Sequence, residues 1–104
     1  MSRADLLAWL RARRPAPPEQ LGASIERALR AAPAALVARP IPEALLGVGR
    51  ALLQDLAGRP DAGRALALDL LAADAFITYA FEAQSELGLE NLNRLAEAAR
   101  GGQS

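Results

Sequence analysis

The groups in this chain that can do chemistry are few in kind: twelve carboxylates, twelve arginines, and the hydroxyls of Ser2, Ser24, Thr78, Tyr79, Ser85 and Ser104. Histidine, cysteine and lysine are absent. That removes the imidazole base, the thiolate nucleophile and the Schiff-base amine, together with the common nitrogen and sulfur metal ligands. Asp74, Glu82, Glu86 and Glu90 lean toward one side of the C-terminal half, and oxygen donors of this type suit Mg²⁺ or Ca²⁺. Their spacing matches no calcium loop, and a solvated acidic face is the expected outcome. No catalytic residue, metal or cofactor is assigned from the sequence.

Asp69 is the outlier. Helical periodicity places it among Ala65, Leu66, Ala73, Phe76 and Ala80, on a face expected to be buried. A lone ionised carboxylate there would cost on the order of several kcal/mol, which calls for an arginine beside it. Arg27 and Arg50 are the expected partners. Asp69 is read as a buried polar lock fixing helix register, with a ligand-pocket residue as the alternative.

Three further groups merit a role. Arg11, Arg13 and Arg14 close the first helix, where cations complement the helix dipole. Contact with an anion or nucleic acid is the sharper reading, disfavoured by a net charge of zero and by the lack of an accompanying aromatic pattern. Trp9, Leu68, Leu71 and Tyr79 are the candidate interface residues, with Trp9 and Tyr79 the aromatic anchors; half-buried core positions are their plainer role. Gly47-Val48-Gly49 lacks a preceding strand and a phosphate-loop continuation, so Gly49 is read as a point of close helix approach.

The elements that must position these residues are helical. Hydrophobic residues make up 52% of the chain but aromatics only 4%, so the apolar content is mostly Ala and Leu, the strongest helix formers. The 104 residues fit one all-α bundle of about five helices over residues 1–100, with 101–104 a loose tail. Ser2 and Asp5 form a short variant of the capping box for a helix over 3–14. Pro15-Ala16-Pro17-Pro18 breaks the chain before a helix over 19–32. Residues 33–42 connect, with Leu36-Val37 tucked inward, to a helix over 43–57 that stops at Gly58. Asp61 opens a long central helix, about 61–87, ended by Gly88, and a last amphipathic helix occupies 89–100. On the long helix Arg64, Asp74, Thr78, Glu82 and Ser85 form a polar strip, and apolar residues cover the rest. Such a helix belongs at a bundle centre, or turns one side to a second copy.

Charge is uneven. Residues 1–64 carry ten arginines against six acids, and residues 65–104 carry two against six. The two halves are therefore expected to pack together, within one chain or between two. No leader pattern and no apolar run of about 18 residues is present, so a cytoplasmic protein without a membrane segment is expected. Together these features point to a non-enzymatic helical interaction module, a homodimer or a binder of a protein partner. The alternatives are a carrier or sensor holding a small apolar ligand between helices through Asp69 or Tyr79, and a nucleic-acid-associated protein using the arginine cluster.

Overall fold

The computed structural model describes residues 2–60 and 63–101, and its elements are all helices: α1 (Arg3–Arg11), α2 (Glu19–Ala31), α3 (Ala34–Val37), α4 (Ile41–Ala57) and α5 (Arg64–Gly101). The capping box at α1 forms as expected. The Asp5 amide donates to the Ser2 hydroxyl oxygen, and the Ser2 amide donates to the Asp5 carboxylate. Two of the N-terminal orphan donors are thereby satisfied. α1 ends at Arg11 rather than Arg14; Pro15 disfavours helical backbone at Arg14 and has no N–H to donate back to the Arg11 carbonyl. α4 starts earlier than expected, at Ile41, since proline is compatible with the first turn and Pro42 sits there. The connector also winds into α3, which seats buried Val37.

The largest departure is at Gly88. The expected stop does not occur, and α5 runs unbroken for 38 residues. A glycine ends a helix by adopting left-handed backbone, and Gly63 is the positive-φ glycine among the described residues. Mid-helix, glycine costs only about 1 kcal/mol relative to alanine. The flanking Ala83–Leu87 and Leu89–Ala99 are dominated by helix formers, and the packed half of α5 supplies the nucleus that an isolated segment would lack. The Asp61 cap lies outside the described residues.

Leu6 and Leu10 of α1, Ile25 and Leu29 of α2, Val37 of α3, Ala44, Leu45 and Val48 of α4, and Ala72, Phe76, Ala80 and Ala83 of α5 form the core. Phe76 is its largest fully buried side chain. α4 and α5 make a helical hairpin whose helices approach closely at Gly49, as expected. A Cβ there would lie 3.1 Å from Phe76 Cβ and 3.2 Å from the Ala73 carbonyl oxygen. Arg3 ties α1 to the end of α2 by donating to the Leu29 and Ala32 carbonyls at 2.5 and 2.9 Å, which satisfies acceptors that a helix C-terminus leaves open.

The long helix is central over residues 72–83, where its inner side is buried. Beyond that it leaves the bundle, and every residue from Leu89 to Gly101 is exposed. The molecule accordingly measures 64 × 28 × 21 Å with a radius of gyration of 16.6 Å, against about 13 Å for a compact chain of this length. No described helix is long and apolar enough to cross a membrane.

Candidate functional site

Three places gather the residues singled out above. The first is Asp69, whose side chain is 17% exposed. Its main partner is Arg59, just past the end of α4, with Nη1 2.9 Å from Oδ2. Arg27 lies on its other side, 4.0 Å from Oδ1. One expected partner is therefore present at longer range. Arg50 is exposed on α4, and its place is taken by Arg59, which the fold-back between α4 and α5 carries to the carboxylate. The arrangement clamps the α4–α5 connection and α2 to the start of α5.

The second place is where α1 crosses α5. The Arg13 guanidinium carbon sits 3.9 Å from the centroid of the Trp9 ring, Arg13 Nε donates to the Trp9 carbonyl, and Arg13 Nη1 pairs with Glu86. Tyr79 meets the Trp9 ring edge-on, with centroids 6.1 Å apart and planes at 84°. This is favourable geometry for both the cation–π and the aromatic contact. Burial against these rings, reinforced by Glu82, raises the Tyr79 phenol above its ordinary value, and nearby Arg13 opposes the rise. Arg11 pairs with Glu26 at 2.6 Å, and Arg14 donates to the Arg11 and Arg13 carbonyls. The arginine cluster thus caps α1 and fastens it to α2 and α5. Arg13–Glu86, Arg59–Asp69 and the longer Arg27–Asp69 pair also link the basic N-terminal half to the acidic C-terminal half within one chain.

An open cleft of about 400 Å³ adjoins this junction, with Leu10, Pro17 and Ile25 on its apolar side and Arg11, Glu26 and Tyr79 on its polar side. Asp69 does not line it. Leu68 borders a smaller cleft of about 220 Å³ with Ser24 and Arg27. Among the described residues no group of three or more carboxylates comes close enough to hold a metal ion.

The third place is not evident from the sequence. On the outer side of α5, Phe81 and Leu95 are each 68% exposed, and Leu89 and Leu92 each 62%. At about 100° per residue, Phe81, Ser85, Gly88, Leu92, Leu95 and Ala99 fall on one stripe, opposite the side that packs on the bundle. Their spacing alternates four, three, four, three, four, the spacing of the a and d positions of a heptad. Cutting the helix at Gly88 hides the pattern, because neither half alone carries enough of it. Of the four candidate interface residues, Leu71 shares the exposed side, while Trp9 and Tyr79 are half-buried against each other and Leu68 is half-buried beside α2.

Comparison of the chain with protein-family models, with curated proteins and with solved structures finds no match.

Proposed function

We propose that this chain is a non-enzymatic helical interaction module that binds protein through the outer side of α5 between Phe81 and Ala99. The observation that carries the reading is the exposed stripe of Phe81, Leu92 and Leu95, with Leu89 exposed on its flank. Single exposed leucines need no explanation, but Phe81, Leu89, Leu92 and Leu95, each more than 60% exposed on one stretch of helix, group into the kind of apolar surface that marks interaction sites. The rest of the molecule supplies support. Its core is complete without the stripe, its buried polar atoms are satisfied among the described residues, and its distinctive charged residues are engaged in holding helices together.

A photoreactive residue tests the surface directly. Placed at Leu92 in cells that make the protein, it should yield a covalent protein adduct. Placed at Glu97, on the opposite side of the helix, it should yield none. Equal labelling at both positions, or none at Leu92, contradicts the reading.

A second reading, a carrier of a small apolar ligand, is favoured by the 400 Å³ cleft at Tyr79, a volume within the range of ligand sites. A ligand seated there should perturb the fluorescence of Trp9, the single tryptophan; an apolar probe that leaves this emission unchanged counts against it.

A further inference from the structure

Resting on the reading of α5 as the interaction surface, we propose that its occupant is a second copy of the same helix, running antiparallel about a two-fold axis near Glu90. The residue sizes along the seam carry the choice. In an antiparallel pair the two alternating seam positions face each other, so residues whose numbers sum to the same value meet. With the axis at residue 90, Phe81 meets Ala99, Ser85 meets Leu95, and Gly88 meets Leu92, and each layer recurs on the other side of the axis. Every layer sets one large side chain against one small residue, the condition for even packing between close helices. A parallel, in-register pair would instead stack Gly88 on Gly88 and Phe81 on Phe81, alternately under- and overfilling the seam.

Charge agrees with the same occupant. No seam position carries a charge. The flanking Asn91 meets its own copy near the axis, and Arg100 lies beside Glu82 of the opposite helix. Antiparallel helices also oppose their dipoles rather than align them. Because the seam points away from the bundle, each bundle lies at its own end of the pair, clear of the other.

The chain has no cysteine, so single introduced thiols report cleanly. An antiparallel pair leaves residue 85 about 15 Å along the axis from residue 85 of the other copy, too far for a disulfide. Mixing Ser85→Cys with Leu95→Cys under mild oxidation should therefore give the mixed disulfide, while each variant alone stays unlinked. Sedimentation of the unmodified protein should show twice the 10.9 kDa chain mass. The double change Leu92→Glu with Leu95→Glu should weaken that association by about a hundredfold or more without lowering the melting temperature. Disulfide formation by each variant alone overturns the antiparallel pairing and leaves the interaction surface standing. A chain that sediments only at its single mass overturns the second copy; the Leu92 photo-adduct then separates the cases, since a product with a different protein preserves the surface and no product ends both.

Discussion

Asp69 and Arg59 meet at 2.9 Å in a largely enclosed setting, so deleting the carboxylate removes the charge-assisted hydrogen bond that ties α5 to the α4–α5 connection. Asp69→Ala should cost about 1–3 kcal/mol, the fully buried figure reduced for the partial exposure of both groups. Asp74→Ala, on the exposed side of the same helix, should stay within about 0.5 kcal/mol. Urea unfolding measures both, and equal effects would show that Asp69 is no lock. Tyr79 offers a second probe, because it is the single tyrosine. Its phenol is raised above 10.0 in the fold, chiefly by burial, so the folded state holds this proton more tightly than the unfolded state does. Its contribution to stability is full below 10 and is lost as pH rises through the folded value. Phenolate absorbance should therefore titrate above 10 in the native protein and return toward 10 in denaturant.

At the scale of the element, two glycines in helices should respond oppositely to the same change. Gly49→Ala forces a methyl against Phe76 Cβ and the Ala73 carbonyl oxygen, neither of which can rotate aside. The crowding should outweigh the propensity gain and give a net loss of about 1–2 kcal/mol. Gly88 has nothing within 4 Å of a built Cβ, so Gly88→Ala should raise α5 helicity and gain up to about 1 kcal/mol. Circular dichroism on thermal unfolding reads both. The contrast also shows how much of the fold is legible in the residues alone. Proline breaks, the Ser2–Asp5 cap and the close approach at Gly49 are local or periodic signals, and each is readable. Gly88 misleads because glycine stops a helix only when the chain turns there, and the helix formers after it keep the chain straight. Arg59 is hidden as the partner of Asp69 because the two are joined by a fold-back, while helical spacing relates only residues of one helix.

At the scale of the molecule, the chain divides its apolar residues between two tasks. The N-terminal helices and residues 72–83 enclose Phe76, and residues 89–101 extend past them into solvent. Such an arm inherits its helical start from the bundle, but its own leucines gain nothing until something covers them. The candidate site is hidden in the sequence for the same reason that the arm is: a seam spanning Gly88 is visible only once the helix is known to continue. Coverage of that arm by another copy is the central claim. The measurement that tests it most directly is amide hydrogen exchange over residues 89–101 at several protein concentrations, read by mass spectrometry. The expected result is fast exchange in dilute protein and protection that grows with concentration, while the amides around Phe76 remain protected throughout. Exchange over 89–101 that is identical at every concentration would contradict it.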